Sequence, residues 1–204
     1  MAKRRYLIDK DPSKELMIRW NSGWRSTEVF WNQEQIAVFD KKQVMSNATV
    51  VLPDGGNLEL QLEKGIFAYL SSRIDGKHIP NSMGDPKYMF RQIFLLLLVL
   101  GIINLAVGLA LAFMSKDGDL AELGLLNAAL GALEILLGYG ILKEFYPALI
   151  ITVIFIGADM VMTSMYSGEN SIGGGVFIKL FFLIFILRGF KAFKEKRRIE
   201  AEGI

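Results

Sequence analysis

The chain has no cysteine and a single histidine, and its charges nearly cancel, at +2 over 204 residues. Without cysteine there can be no disulfide framework, thiol nucleophile, or Cys-ligated zinc or iron–sulfur centre. A balance this close to neutral does not suggest a nucleic-acid partner. The start, Met1-Ala-Lys-Arg-Arg-Tyr-Leu-Ile-Asp-Lys10, is basic but no apolar h-region follows it, so a cleaved leader is not expected. Familiar catalytic patterns are missing too: GxSxG, HExxH and the phosphate-binding Gly-Lys-Ser/Thr do not occur. The lone His78, two residues beyond Asp75-Gly76, reads as a turn-flanking residue.

What the chain does have is an uneven distribution of charge. Residues 1–90 carry 13 Lys/Arg and 11 Asp/Glu, a density normal for a soluble domain. From Gln92 to Ser115 there is no ionisable residue, and beyond that Glu134, Asp159 and Lys179 each stand alone in a long apolar run. A helix needs about 20 apolar residues to cross a bilayer core. The pattern predicts four spans, at about 92–114, 120–142, 147–167 and 172–190, entered by an amphipathic lead Lys87–Gln92. The links Ser115–Asp119, Lys143–Tyr146 and Ser167–Ser171 are short, so neighbouring helices must run antiparallel in one bundle.

The first 86 residues read as a small all-β domain, an antiparallel sandwich. Short apolar and aromatic runs occur at Glu15–Trp20, Glu28–Trp31, Ile36–Phe39, Ala48–Leu52, Leu58–Leu62 and Phe67–Ser71, with His78–Ile79 last. Asn32-Gln33-Glu34-Gln35 reads as a four-residue hairpin insert, and Pro53-Asp54-Gly55-Gly56-Asn57 and Asp75-Gly76 as turns. Leu58-Glu59-Leu60-Gln61-Leu62 alternates as a strand with one buried face should. The expected core is Leu16, Ile18, Trp20, Val29, Trp31, Ile36, Val38, Val50, Leu58, Leu60, Leu62, Phe67 and Tyr69. Pro80–Pro86 is turn chemistry and forms the joint to the helical region, 87–204.

Orientation follows from the basic residues. Lys87, Arg91, Lys143, Arg188, Lys191, Lys194, Lys196, Arg197 and Arg198 fall on one side and only Lys116 on the other. This predicts a multi-pass protein of the plasma (inner) membrane with the head and both termini cytoplasmic. The cluster Arg188, Lys191, Lys194, Lys196, Arg197 and Arg198 beside the last span is the expected lipid-headgroup contact.

Trp20-Asn-Ser-Gly-Trp-Arg-Ser-Thr-Glu-Val-Phe30, followed by an apolar strand and later Ile74-Asp-Gly-Lys77, resembles the β-sandwich of the Fas apoptotic inhibitory molecule family. Ile74-Asp-Gly-Lys-His-Ile-Pro-Asn-Ser-Met-Gly-Asp-Pro86, just before a first span, is similar to uncharacterised bacterial multi-pass membrane proteins. Together the patterns cover less than half the chain. They imply a binding or scaffolding sandwich, and carry no site residues across.

The isolated polar residues of the spans are the candidate site, because an ionisable group there is expensive to insert. At about 1.5 Å per residue, Asn127, Asp159 and Lys179 fall in one layer about 10 Å from the outer face, with Glu134 about 20 Å deep and Asn104 between. Asp159 and Lys179 are expected to form an ion pair. The five residues Asn104, Asn127, Glu134, Asp159 and Lys179 read either as a polar track or as packing contacts between helices. Gly101, Asn104 and Gly108 share a face of the first span. Gly124, Ala128 and Ala132 share one face of the second, and Asn127, Gly131, Glu134 and Gly138 another, so the second helix has two faces available for close packing. Gly173–Gly175 reads as a turn into the last span. With no histidine in the spans and one aspartate, neither an intramembrane serine–histidine hydrolase nor an aspartyl dyad fits.

The expected function is therefore a non-enzymatic binding or scaffold subunit of a membrane assembly, without cofactor or metal, associating with itself or with other membrane proteins. The alternative is an oligomeric small-ion channel or carrier.

Overall fold

The computed structural model describes the chain apart from residues 9, 10, 12, 65–67, 117, 167–171 and 203–204, and apart from the side chains of 162–166, 172–177 and 202. It divides into two compact units, Met1–Tyr88 and Met89–Ala201.

The first unit is built from two four-stranded antiparallel sheets, each a simple meander. One holds β1 (Ala2–Leu7), β2 (Glu15–Trp20), β3 (Ser26–Trp31) and β4 (Glu34–Asp40) in that order. The other holds β5 (Ala48–Val51), β6 (Asn57–Glu63), β7 (Tyr69–Ile74) and β8 (Lys77–His78). Alternation does the work: Leu58, Leu60 and Leu62 of β6 point inward and pack with Leu16, Ile18, Val29, Trp31 and Leu70 in one core. Burying each such side chain contributes about 1.5–3 kcal/mol.

Two hairpins turn on two residues in the left-handed region, which matches the twist of the flanking strands. Asp75 and Gly76 (φ 49° and 78°) join β7 to β8, as expected. Asn32 and Gln33 (φ 48° and 72°) join β3 to β4, and Trp31 pairs directly with Glu34. The expected four-residue insert is thus a two-residue turn, and Glu34 and Gln35 belong to β4. Asn32 is held there by both ends of its amide, which accepts from Glu15 N at 2.9 Å and donates to Ser13 O at 2.7 Å.

The core departs from the sequence reading at two described positions, Val38 and Tyr69. Val38 is 52% exposed. A bulge between Val29 and Phe30 shifts the β3–β4 register, so Ala37 faces Val29 and Phe39 faces Thr27; Ala37 and Phe39 then pack on the core in its place. Leu70 is buried while Tyr69 is half-buried, and Phe67 lies outside the described residues. Trp20, Ile36 and Val50 pack on the core from its rim, Trp20 stacked on Trp24 at 5.0 Å between ring centres.

Two elements were not foreseen. The basic N-terminal run forms strand β1, and Lys41–Met45 forms a short helix, α1, that buries Val44. Its start is a capping box: Gln43 N donates to Asp40 Oδ1 and Asp40 N to Gln43 Oε1, both at 2.8 Å. The chain therefore has five α-helices among the described residues rather than four.

The others are α2 (Pro86–Met114), α3 (Gly118–Leu142), α4 (Tyr146–Tyr166) and α5 (Ile172–Glu202). Helix α2 has no separate lead. Pro86 occupies its first turn, and Asp85 accepts from Lys87 N at 3.0 Å, the proline-after-cap start that spares a missing N–H. Helices α2 and α3 are long and apolar enough to cross a membrane by length and composition, and Tyr146–Val161 is a shorter apolar stretch. Helix α5 runs past residue 190 and carries the basic tail as helix.

All four helices contribute to one apolar cluster in the second unit. Phe90, Ile93 and Leu97 of α2 meet Leu137 and Ile141 of α3, Leu149 and Ile156 of α4, and Ile186 and Phe193 of α5. The α3–α4 link is tight: a Cβ on Gly140 would lie 2.8 Å from Ala148 Cβ.

Candidate functional sites

The polar residues of the helical unit sit in two different settings. The first is a seam between α2 and α3 made by glycines seven residues apart. A Cβ on Gly101 would come 2.6 Å from Gly131 O, and one on Gly108 would come 2.6 Å from Gly124 O. Only hydrogen fits between backbones this close. Gly124, Ala128, Gly131, Glu134 and Gly138 are all buried, whereas Ala132 is exposed. The two small-residue faces read from the sequence are therefore one face, drifting at about 3.5 residues per turn.

Glu134 lies in this seam with 7% of its surface exposed. Asn104 Nδ2 donates to Glu134 Oε2 at 2.9 Å, and Asn127 Nδ2 donates to the Asn104 carbonyl at 3.0 Å. The three residues form a connected polar string in which each side-chain amide donates to the next residue.

The second setting joins α4 and α5. Lys179 Nζ lies 2.7 Å from Asp159 Oδ2, the ion pair expected from the sequence. The side chains remain 27% and 44% exposed, respectively. Asp159 and Lys179 are also within Coulombic range of Glu134. The two settings thus share one electrostatic neighbourhood, with two carboxylates and one ammonium. The arrangement can hold charge.

The expected lipid-contact cluster is divided by the fold. Lys196 pairs with Glu144 of the α3–α4 link and lies 3.3 Å from Glu200, and the hydrogen bond it donates to Glu144 raises its pKa above the ordinary lysine value. Arg198 pairs with Glu195 at 2.6 Å, the Arg197 guanidinium lies 5.1 Å from the Tyr146 ring centre, and that of Arg188 lies 5.8 Å from the Phe185 ring centre. Lys191, Lys194, Arg197 and Arg198 are exposed; the spacing gathers Lys191, Lys194 and Arg198 on one side of α5, away from the buried Ala192 and Phe193, whereas Arg197 falls on the Phe193 side.

A further site lies in the first unit, and the sequence reading missed it. A groove of about 1200 Å³ is lined by Arg4 to Leu7 of β1 and Ile8 beyond it, by Asp54 and Gly56, and by Ile74, Asp75 and the residues from Lys77 to Asn81 around β8. Strands β1 and β8 are each the edge of a sheet. Tyr6 lines the groove, and burial raises its phenol pKa above the ordinary value despite the nearby Arg4 guanidinium. Arg5 reaches Glu15 at 3.3 Å and Lys14 reaches Asp54 at 3.5 Å. His78 borders the groove and accepts from Arg73 Nε at 3.3 Å, a structural bond. The missing signal was β1 itself: three consecutive basic residues hid the alternation of Arg4, Tyr6 and Ile8, which turn inward.

Among the described residues no group of three His, Asp or Glu side chains could hold a metal ion. No protein-family model, curated protein or solved structure matches this chain.

Proposed function

We propose that the chain is a multi-pass membrane protein with four transmembrane helices, α2 to α5, whose cytoplasmic β-sandwich is a non-enzymatic binding or scaffold subunit of a membrane assembly. The observation that carries this reading is the groove between the edge strands β1 and β8. An edge strand leaves a row of backbone donors and acceptors that an added segment can satisfy. The resemblance of the head to a binding sandwich agrees with it, and the imbalance of Lys/Arg sets the orientation. The exposed side of the α5 tail, with Lys191 and Lys194, is the contact with anionic lipid.

The test is recovery of the full chain from its native membrane with its associated proteins, compared with the double variant Arg5→Glu/Lys77→Glu. Loss of those proteins from the variant is expected. If a chain lacking residues 1–85 still retains every one of them, the scaffold reading fails.

A second reading, an oligomeric small-ion channel or carrier, is favoured by one observation: the string Asn127–Asn104–Glu134 lies within Coulombic range of the Asp159–Lys179 pair. Purified protein in liposomes that moves no protons, Na⁺, K⁺ or Cl⁻ would remove it.

A further inference from the structure

We propose that the free edge of β1 takes up an extended acidic segment of a partner protein as an added strand, laid along the groove. The inference rests on the reading of the head as a binding sandwich and deepens it by naming the chemistry of the partner. Asn32 N donates to Glu15 O at 2.8 Å and Asn21 N donates to Ser26 O at 3.2 Å. The odd-numbered residues from Glu15 to Asn21 therefore turn their backbone groups towards β3. Successive residues of a strand alternate in this respect, so Leu16, Ile18 and Trp20 bond to β1, where their partners are Tyr6, Arg4 and Ala2. Ile8 N continues the series by donating to Lys14 O at 3.0 Å. The N–H and C=O groups of Lys3, Arg5 and Leu7 are left pointing away from β2, and β1 is the last strand of its sheet.

The groove beside this edge suits a length of chain. Its volume of about 1200 Å³ exceeds the about 300–1,000 Å³ of small-molecule pockets. Tyr6, Ile8 and Ile74 line it while packing on the core, and Ile79 is buried beneath them. Arg4 donates to Asn81 O at 3.4 Å and to the Tyr88 hydroxyl at 3.1 Å, which ties β1 to the segment after β8. Charge selects the occupant. Asp54 is engaged by Lys14 at 3.5 Å, and Asp75 accepts from Asn57 N at 2.9 Å. Lys3 and Lys77 are exposed, and among the described residues neither pairs with a carboxylate. The Arg5 side chain is 62% exposed beside Glu15. An added strand sets alternate side chains over the apolar lining and the others beside Lys3 and Arg5, where acids are favoured. A second copy of β1 would set lysine and arginine against their like, which is destabilising. The cations that guard this edge against its own kind thus admit an acidic strand.

The probe is a capped peptide of about ten residues that alternates valine with glutamate, long enough to span β1. Its counterpart alternates valine with lysine, and each is added to the full chain in detergent. The glutamate peptide is expected to bind at least about tenfold more tightly, and to slow hydrogen exchange at the amides of Arg5 and Leu7. Leu7→Pro removes an edge donor that β2 does not use, so it should weaken binding about tenfold. Leu7→Ala keeps that N–H and should weaken it much less. The unfolding midpoint of Leu7→Pro should stay near that of the unaltered chain, whereas Tyr6→Pro, which removes a donor to β2, should lower it. Equal binding of the two peptides, unchanged exchange in β1, or equal weakening by Leu7→Ala and Leu7→Pro overturns the inference. So does a midpoint lowered as much by Leu7→Pro as by Tyr6→Pro, since the edge would then be misassigned. The scaffold reading stands or falls separately. If Leu7→Pro keeps in native membranes every protein that Arg5→Glu/Lys77→Glu loses, strand addition fails and the scaffold reading survives.

Discussion

The α2–α3 seam and the α4–α5 pair solve the same problem in opposite ways. Both place a carboxylate among apolar helices. In the seam, glycines bring two backbones within contact, the neighbouring helix closes over Glu134, and a neutral amide donates to it. Between α4 and α5 the carboxylate receives a full counter-charge instead, and the pair is left partly open. Close packing encloses a carboxyl group that receives a hydrogen bond from a neutral amide, whereas the looser contact relies on ionic pairing.

The comparison breaks most sharply at glycine. In Gly131→Ala the new methyl would sit 2.6 Å from both Gly101 O and Leu105 N, backbone atoms that cannot swing away. The helices must separate, and the loss is expected at or above the top of the usual range of about 1–3 kcal/mol for overpacking. Gly157→Ala adds the same methyl where nothing lies within 4 Å, and should be neutral or stabilise by up to about 1 kcal/mol through helix propensity. Thermal unfolding of the two variants in one detergent decides it. Equal effects would mean that α2 and α3 do not approach as described.

Glu134 sharpens the contrast next. Glu134→Gln keeps an acceptor for Asn104 Nδ2 and should be nearly neutral. Glu134→Leu fills similar space but leaves that amide without its carboxylate partner at 2.9 Å, and should cost about 1–3 kcal/mol. Unfolding midpoints of the two variants that coincide would show that the hydrogen bond is not what holds this residue.

Much of this was legible in sequence because it depends on periodicity and on the rarity of charge. Leu58, Leu60 and Leu62 declare their face by alternation, and Asp159 and Lys179 stand out because nothing else charged lies near them in the chain. What stayed hidden depends on facts outside a linear pattern. The bulge opposite Val29 moved Val38 to the surface, and no propensity marks that position. Asp40 and Gln43 do form a recognisable capping box, but five helical residues lie below the length at which periodicity speaks. Strand β1 was masked by Lys3, Arg4 and Arg5, because an edge strand tolerates charge that a central one excludes. On α3 the two small-residue stripes merge, since a face repeating at 3.5 residues collects Gly124, Ala128, Gly131 and Gly138 together and turns Ala132 outward.

The smallest expected effect lies at the Lys196–Glu144 pair, which ties the tail of α5 to the α3–α4 link outside the apolar run. It is a third setting for a carboxylate, now facing solvent. The pair raises the pKa of Lys196 above its ordinary 10.5, so the charged form is favoured in the folded chain. Its contribution is fully present below that ordinary value and is lost as pH rises through the higher folded value. A partly exposed pair of this kind is worth only about 0.2–1 kcal/mol and is screened by salt. Lys196→Gln should therefore shift the unfolding midpoint slightly at neutral pH and low salt, and the difference from the unaltered chain should shrink as salt is added or as pH rises above about 10.5. A difference that persisted in high salt would mean that the tail is held by the packing of the Lys196 stem rather than by its charge, and the contrast between this pair and the Asp159–Lys179 pair would lose its electrostatic basis.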